Sequence, residues 1–344
     1  MANVLILGAG VMGSALAVPA ADNGHAVRLV GTHLDREIVA TLKRPGGIHP
    51  KLDAPLPGSV EPLDIGQLAR SHVEAADAIV VGVSSPGIEW AVDRLSALMS
   101  SSKPVAFVTK GLASWGDEVR TYAETVPEAL DRIPRASFIG IGGPCIAREL
   151  ANRWPTASVY ACSDITLAER LARLMATPCY RLSASDDVTG VEACAALKNF
   201  FAIGVSAMQT RHTDAIHGGA ATKNPTAAVF NQAAREMALI ALHIGGRRDT
   251  AFDLAGIGDL HVTVGGGRNS RLGHALGRGR TVSAVMASEL AGETVEGIDT
   301  ALALGGLVRC AAPADLPLAA AIVDAVLEDA PFAFDFAHLG LREG

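Results

Sequence analysis

The first thirty residues join two short apolar runs through a glycine-rich turn. Residues 4–7 are apolar, residues 8–13 read GAGVMG, and small helix-favouring residues lead to a second apolar run at 26–30. A G-x-G-x-x-G turn placed between a strand and a helix is typical of a βαβ unit that binds a dinucleotide. The alternative is a tight structural turn without a ligand.

Each glycine of this turn has a separate physical task. Gly8 permits the tight turn, Gly10 lets a diphosphate approach the backbone, and Gly13 lets helix and strand pack closely. The diphosphate then binds to the free N–H groups and the positive dipole end of a helix that begins near Val11 and Met12. The turn is therefore predicted to hold the cofactor.

The end of the second strand bears on which cofactor binds. A dinucleotide fold for NAD normally has an acidic residue there that accepts the ribose 2′-hydroxyl, but this position is occupied by Thr32 and His33. Arg36 lies nearby, and a neutral or basic pocket suits a 2′-phosphate. NADP is therefore slightly favoured over NAD. Alternatively, Arg36 is a solvated residue in the first turn of the next helix.

Composition limits the class of protein. The 344 residues predict two domains, and the net charge of −7 provides no basic surface for nucleic acid. The five cysteines are scattered and lack C-x-x-C spacing, so we expect reduced thiols and no metal site. Neither a signal peptide nor a membrane span is predicted, which favours a cytoplasmic protein.

Further along the chain, buried-type strands repeatedly end in polar or glycine-rich turns. Because ligands bind at the carboxyl ends of parallel strands, this repetition predicts an α/β, Rossmann-like doubly wound sheet with its site along one edge. The predicted strands after the first two are residues 78–83, 105–109, 137–141, 156–161 and 179–182.

Beyond residue 187 the strand-like runs nearly vanish, and glycines separate helical segments. We therefore expect a dinucleotide-binding domain over residues 1–187 and an all-helical substrate-binding domain over 188–344. The predicted helices of the second domain are 188–209, 226–244, 249–255, 269–277, 282–287, 296–305 and 316–327.

A lysine stands within an unusually apolar helical stretch of the second domain. Lys198 and its neighbour Asn199 are surrounded by alanine, leucine and phenylalanine. Burial disfavours the charged form of lysine, which is how an amine becomes a general acid or base near neutrality. Alternatively, Lys198 reaches the surface or pairs with a carboxylate such as Glu192.

Two more polar clusters are candidates for anion binding. Asp259 follows a glycine pair and precedes Thr263, and a triple-glycine turn then carries Arg268 and Asn269. A pliable backbone can wrap an anion, and an arginine fork can bind phosphate oxygens. The alternative is a glycine loop with a solvated arginine and a helix-capping asparagine.

At these residues the chain resembles the NAD(P)-dependent glycerol-3-phosphate dehydrogenase family over nearly its whole length. The matching stretches appear in the same order and spacing as in that family: residues 8–17 GAGVMGSALA, 110–112 KGL, 143–147 GPCIA, 196–199 ALKN, 202–203 AI, 255–260 AGIGDL, 268–269 RN and 295–297 VEG.

The resemblance implies hydride transfer between a nicotinamide and the secondary carbinol of sn-glycerol 3-phosphate. Because helical second domains of this kind often bury surface in dimers, we also expect a homodimer. The resemblance further implies that Lys198 is the proton acceptor, assisted by Lys110 and Asp259. Taken alone, Lys110 is equally readable as a solvated lysine after a strand. The residues implied to surround the substrate are Lys110, Gly143, Cys145, Lys198, Asn199, Asp259, Thr263, Arg268 and Asn269. Those implied for the cofactor, besides the glycine turn and the second strand end, are Lys110, Ala147, Arg268 and Glu296.

The chain also departs from the family pattern. Cys145 replaces a serine or threonine, and the segment after Ile203 gains Arg211, His212 and His217. These changes leave open the same chemistry on a larger, four-carbon polyol or ketose phosphate, or an ordinary variable surface loop. A non-catalytic dinucleotide sensor is a further alternative.

Overall fold

The computed structural model describes residues 1–115, 118–130, 133–211, 213–214, 220–221, 223–312 and 314–340 of the chain. The chain forms two compact units. The sheet unit contains residues 1–110 and 123–191, and the helical unit contains residues 111–122 and 192–344. The segment 111–122 therefore belongs to the second unit although residues of the first unit follow it.

The strands, in chain order, are β1 (Asn3–Leu7), β2 (Ala26–Val30), β3 (Val60–Leu63), β4 (Ala78–Val81), β5 (Val105–Phe107), β6 (Leu112–Trp115), β7 (Glu118–Thr121), β8 (Phe138–Gly142), β9 (Thr156–Ala161), β10 (Tyr180–Ser185), β11 (Thr213–Asp214) and β12 (Ala220–Ala221). The helices are α1 (Val11–Asp22), α2 (Arg36–Leu42), α3 (Arg70–Ala75), α4 (Ile88–Leu98), α5 (Tyr122–Ala129), α6 (Ala147–Ala151), α7 (Ile165–Met175), α8 (Val188–Arg211), α9 (Lys223–His243), α10 (Asp259–Val264), α11 (Arg268–Gly277), α12 (Val282–Met286), α13 (Glu296–Cys310) and α14 (Pro317–Leu327).

The sheet unit is built on one eight-stranded sheet in the order β10-β9-β8-β5-β4-β1-β2-β3. Its pairs are parallel except β8 with β9, so β9 and β10 run against the other strands. The central strands are apolar and buried because helices cover them. This architecture confirms the predicted Rossmann-like class.

Besides the two-residue strands β11 and β12, two strand regions of the described residues were not predicted. The edge strand β3 reads Val-Glu-Pro-Leu, and a short 3₁₀ turn and then α3 follow it. The hairpin of β6 and β7 lies in the helical unit, where it packs against α13. Both are short and partly polar, so they lack the continuous apolar run of a buried strand.

The helical unit surrounds the long helix α8, most of which is buried. By length and composition α8 could cross a membrane, but 94% of its most apolar window is buried within the protein. That is the pattern of a buried core helix. Besides the hairpin, a two-residue pair of β11 and β12 interrupts the helices, and His212 and His217 lie outside the described residues.

The helix predicted over residues 249–255 has a different form. A 3₁₀ turn covers Arg248–Phe252, and a π-helical turn over Leu254–Gly258 runs directly into α10. Gly256 permits this tightness, because a Cβ there would lie 2.0 Å from the carbonyl oxygen of Ala251. Asp259 therefore begins a helix and does not sit in a pliable loop.

Candidate active site

The glycine-rich turn of the sheet unit is held by close backbone approaches. Gly8 has φ +111°, and its N–H donates to the carbonyl of Val30 at 2.7 Å. A Cβ on Gly13 would lie 2.1 Å from the carbonyl oxygen of Gly8, and one on Gly8 would lie 2.9 Å from the backbone of Gly82. Side chains at these positions are thus excluded, and Gly82 is a fourth glycine that the motif does not name.

Gly10 differs from the other glycines of the turn. It precedes α1 with extended backbone, and a Cβ there would lie 4.0 Å from its nearest neighbour, the carbonyl oxygen of Gly82. No acidic residue lies in the first turn of α1. The backbone at Gly10 is therefore open, and it lies at the positive end of a helix whose first turn carries no carboxylate. This arrangement fits the diphosphate of a dinucleotide.

The corner after β2 holds a carboxylate that the sequence analysis did not place there. Asp35 Oδ2 accepts hydrogen bonds from the N–H of Ala9 at 3.2 Å and from the N–H and Oγ1 of Thr32 at 2.8 and 2.9 Å. The expectation of a purely neutral or basic corner is therefore wrong. His33 and Arg36 are exposed on the same segment, and the His33 ring meets Trp90 edge-on, with ring centroids 6.3 Å apart.

The remaining predicted residues of the sheet unit follow its parallel strands at the same edge. Lys110 is half-buried just beyond β5. The preceding residue, Thr109, fixes this strand end by donating its Oγ1 hydrogen to the carbonyl of Val83 at 2.6 Å. Gly143, with φ +108°, turns the chain after β8 so that half-buried Cys145 precedes α6. Ala147, predicted to contact the cofactor, is the first residue of α6, a helix that packs against α1.

In the helical unit, a buried ion pair joins α8 to the first residue of α10. Lys198 Nζ lies 2.7 Å from Asp259 Oδ1, and the two side chains are 12% and 2% exposed. Thr263 Oγ1 donates to the carbonyl of Asp259 at 2.7 Å, one turn further along α10. Because a buried charge is costly unless it is paired, this arrangement fixes the lysine amine at a defined point.

The residue after Lys198, Asn199, belongs to a pair of buried amides. Asn269 Nδ2 donates to Asn199 Oδ1 at 3.1 Å, and Asn269 Oδ1 accepts from the N–H of Gly297 at 2.8 Å. The amide of Asn269 thus links α8, α11 and α13. Arg268 of α11 and Glu296 of α13 form a partly exposed ion pair.

Close helix contacts set the positions of these side chains. A Cβ on Gly273 of α11 would lie 2.3 Å from the carbonyl oxygen of Ile203, and one on Gly297 would lie 2.7 Å from that of Asn199. Only glycine permits such an approach of two helix backbones. A glycine spaced four residues after Asn269 on a helix is a sequence signal for this contact that the motif analysis did not use.

A polar chain follows the same contact between α8 and α11. Buried Ser206 donates to Ser270 Oγ at 3.0 Å, and Ser270 donates to the carbonyl of Val264 at 3.2 Å. His274 lies between Ser270 and Thr210, at 3.3 and 2.7 Å, and burial lowers its pKa. These residues position α11, which carries Arg268 and Asn269.

The predicted residues are therefore divided between the two units. The sheet unit presents a diphosphate cradle and the ends of β2, β5 and β8. The helical unit presents one ammonium–carboxylate pair and two buried amides. Among the described residues no group of three or more histidine, cysteine, aspartate or glutamate side chains could hold a metal ion.

Comparison with known proteins matches both parts of the chain to one family. Residues 3–168 match the model of the NAD-dependent glycerol-3-phosphate dehydrogenase N-terminus, and residues 187–333 match that of its C-terminus. The chain is 35% identical over 286 residues to the NADP(+)-dependent glycerol-3-phosphate dehydrogenase of Archaeoglobus fulgidus, with 82% of each chain covered.

Two further similarities cover nearly the whole chain. A glycerol-3-phosphate dehydrogenase (NAD(P)+) of Oceanobacillus iheyensis is 30% identical over 332 residues, which is 96% of this chain and 91% of that protein. The crystal structure of glycerol-3-phosphate dehydrogenase from Coxiella burnetii superposes with a TM-score of 0.78 at 27% identity, covering 96% of both chains.

Proposed function

The chain belongs to the NAD-dependent glycerol-3-phosphate dehydrogenase family, and we propose that it interconverts sn-glycerol 3-phosphate and dihydroxyacetone phosphate with NAD or NADP. The relatives are named for this activity. They give no support to a four-carbon substrate or to a sensor without turnover. The sheet unit then carries the cofactor, and the helical unit carries the polyol phosphate.

The observation that carries the proposal is the buried pair of Lys198 and Asp259. A general acid must hold a proton at a fixed atom, and this amine is held 2.7 Å from a carboxylate oxygen with little exposure. A lysine serving only solubility would extend into solvent. Lys198 lies on α8 next to Asn199, whose side chain is also buried.

The proposed mechanism assigns one proton to the Lys198 amine. When bound, the nicotinamide accepts or supplies the hydride. In ketone reduction, Lys198 Nζ donates a proton to the oxygen that becomes the secondary hydroxyl. In alcohol oxidation, neutral Lys198 takes that proton back. Asp259 orients the amine and remains a carboxylate throughout, since it is the amine that exchanges the proton.

The other predicted residues bind and orient. Asn199, Thr263 and Asn269 supply hydrogen-bonding groups to the polyol. We assign Lys110, Gly143 and Cys145 to the substrate and Lys110 also to the cofactor, as the family resemblance implies. We assign Arg268 to the substrate phosphate or the cofactor and Glu296 to the cofactor. An arginine suits either role because its fork binds phosphate oxygens.

We further propose a cytoplasmic homodimer. The cytoplasmic location is inferred from the free cysteines, and the dimer from the analogy with other helical second domains of this kind. Sedimentation equilibrium of the full chain measures the oligomeric state. A monomer across the micromolar range would exclude the dimer.

The activity is tested by following absorbance at 340 nm with purified protein, dihydroxyacetone phosphate and either NADH or NADPH. Four- and five-carbon ketose phosphates serve as competing substrates. We expect turnover of the triose phosphate, and we expect Lys198→Met to lower kcat by about 10²–10⁴-fold because it removes the proton donor. Cofactor binding, measured by fluorescence titration, should stay unchanged in the variant.

Lys223→Met is the matched control, because Lys223 is an exposed lysine of the same unit. It should retain wild-type activity. Full activity of Lys198→Met would refute the role of Lys198. Turnover confined to a longer ketose phosphate would refute the proposed substrate. Cofactor binding without any turnover would refute the proposed enzymatic activity.

A further inference from the structure

Helices α8 and α11 of the helical unit lie with their backbones in close contact. A Cβ on Gly273 would lie 2.3 Å from the carbonyl oxygen of Ile203, and one on Gly277 would lie 2.3 Å from that of Ala207. Both helices advance by the same step between the two contacts, so they run in the same direction. Contacts between bare backbones bring two helices close, but they do not fix how far one helix lies along the other, because they contain no directional bond.

Polar side chains next to these contacts supply the directional bonds. Ser206 of α8 donates to Ser270 Oγ of α11 at 3.0 Å. One turn further along both helices, Thr210 Oγ1 lies 2.7 Å from His274 Nδ1. Residues four positions apart lie on one face of a helix, and both pairs have the same sequence separation, 64 positions. The imidazole of His274 also joins the two pairs, since its Nε2 lies 3.3 Å from Ser270 Oγ.

The hydroxyl groups around His274 determine which ring nitrogen carries the proton. The carbonyl of Val264 can only accept, so it takes the single proton of Ser270, at 3.2 Å. Ser270 therefore accepts from His274, and Nε2 is the protonated nitrogen. Nδ1 then accepts from Thr210, whose alternative acceptor, the carbonyl of Ser206, is 3.4 Å away. Burial lowers the pKa of His274, which agrees with a neutral ring.

We propose that His274 is a positioning residue whose neutral ring fixes α11 at one point along α8, and that this sets the affinity for the polyol phosphate. Arg268 and Asn269 are the first residues of α11, and the Asn269 amide meets Asn199 of α8 at 3.1 Å. A small displacement of α11 along α8 would misalign this contact and move both side chains. The inference rests on the proposed function, which assigns Arg268 and Asn269 to the substrate.

The proton-transfer pair is held by a contact that does not involve α11. Lys198 of α8 and Asp259 of α10 meet directly, with Nζ 2.7 Å from Oδ1. We therefore expect the loss of His274 to weaken substrate binding more than proton transfer.

Steady-state kinetics of the full chain with dihydroxyacetone phosphate and saturating reduced cofactor separate these two effects. In His274→Met the side chain still fills the space but makes neither hydrogen bond. We expect KM for dihydroxyacetone phosphate to rise about tenfold, which corresponds to about one lost hydrogen bond, and kcat to stay within about threefold of wild type. A change of this form indicates lost binding rather than lost proton transfer.

Two further variants test the hydrogen bond between Thr210 and His274. Thr210→Val removes the hydroxyl and keeps the size of the side chain, so KM should rise by about threefold to fivefold. Combined with His274→Met it should add little, because both substitutions remove one shared contact. His274→Asn, whose Oδ1 can accept from Thr210, should restore part of the lost affinity.

His243→Met is the matched control. His243 is an exposed histidine of the same unit, so the substitution makes the same chemical change away from the contact between α8 and α11. Its KM and kcat should equal those of the wild type.

The ring of His274 is also observed without turnover. In nitrogen NMR of the full chain labelled with ¹⁵N-histidine at pH 8, we expect the signals that His274→Met removes to be those of a neutral ring protonated at Nε2. Thr210→Val should shift the Nδ1 signal, because that nitrogen loses a hydrogen bond. A ring protonated at Nδ1 would overturn the inference.

The kinetic outcomes separate this inference from the proposed function. Wild-type turnover with an unchanged KM in His274→Met and Thr210→Val would overturn the inference alone, and so would a fall in kcat without a rise in KM. If His274→Met does not fold, Thr210→Val and His274→Asn carry the same kinetic test. A wild-type chain that does not reduce dihydroxyacetone phosphate would refute the proposed function and with it the role in substrate affinity, whereas the NMR signals would still show whether the ring has the proposed tautomer.

Discussion

The glycine-rich turn of the sheet unit and the Lys198–Asp259 pair of the helical unit are built from different materials. The turn uses backbone groups of six consecutive residues, 8–13, and excludes side chains at Gly8 and Gly13. The pair uses two side chains 61 residues apart in the chain, brought together by two helices. The turn therefore depends on the absence of side chains, whereas the pair depends on the presence of two side chains.

This difference predicts how each site fails. A site made of backbone is damaged when a Cβ is introduced, because the added atom displaces the groups that bind. A site made of side chains is damaged when a functional group is removed, while the surrounding backbone stays in place. Substitutions in the turn should therefore change cofactor binding, and substitutions in the pair should change turnover.

Of the substitutions that test this comparison, Asp259→Asn is expected to have the largest effect. The amide keeps the size of the side chain but removes the charge that holds Lys198. We expect kcat to fall by about 10²–10³-fold, the range of a misplaced general acid, with the Kd for NADH unchanged within about twofold. Steady-state rates and calorimetry measure the two quantities. Exposed Asp249→Asn is the control, and a kcat within threefold of wild type would contradict the assignment.

Smaller effects are expected for alanine substitutions at Gly13 and Gly10, and they should differ between the two glycines. In Gly13→Ala the Cβ meets the carbonyl of Gly8 at 2.1 Å, so we expect a stability loss of about 1–3 kcal/mol. In Gly10→Ala the nearest atom is 4.0 Å away, so stability should stay within about 0.5 kcal/mol. NADH should nevertheless bind the Gly10 variant at least about tenfold more weakly, because the methyl group occupies the face open to the diphosphate.

Urea unfolding and NADH titration of both variants test this pair of expectations. Undiminished NADH binding by Gly10→Ala would mean that the diphosphate does not approach at this glycine. Comparable destabilisation of both variants would mean that the two glycines share one steric role.

The sequence predicts the sheet well because its central strands are buried on both faces and therefore read as continuous apolar runs. The edge strand β3 is different. Its Glu61 is exposed, and Pro62 cannot donate a hydrogen bond, which a strand tolerates at an edge. Its pattern therefore resembles a loop, and only pairing with β2 defines it as a strand.

Within the site, sequence reasoning finds residues more readily than their partners. Lys198, Asn199, Asp259 and Asn269 each stand out by chemistry, but which of them pair depends on how helices pack. For Asp35, the residue itself was missed. The expected place of an acid is the strand end, and here a short turn at Thr32 brings the carboxylate back from further along the chain. Tertiary contacts of this kind leave no periodic signal.

Glu236 is another buried carboxylate of the helical unit, and it differs from Asp259 in its hydrogen-bond donors. Glu236 is fully buried, and its oxygens accept hydrogen bonds from Gln232 and from the N–H groups of Leu318 and Ala319 at the start of α14. Unlike Asp259, its hydrogen-bond donors here are neutral groups. Burial raises the pKa of Glu236 to about 7, against the opposing effect of these hydrogen bonds.

The raised pKa predicts a stability that depends on pH. Between the ordinary value of 4.5 and about 7 the folded protein binds a proton at Glu236 that the unfolded chain releases. This contribution is fully present below the unfolded pKa and is lost as the pH rises through the folded one. We expect the free energy of unfolding to fall by about 1 kcal/mol or more between pH 5 and pH 8, and this part of the fall should be absent in Glu236→Gln, which cannot titrate.

Urea unfolding of the wild type and of Glu236→Gln across this pH range provides the measurement, with exposed Glu293→Gln as the control for an ordinary surface acid. Parallel curves for wild type and Glu236→Gln would mean that the helix N–H groups keep Glu236 charged. Neutral donors would then suffice to hold this buried carboxylate in its charged form. Curves that diverge with pH would instead mean that neutral donors do not offset the burial of Glu236, whereas Asp259 is paired with a lysine.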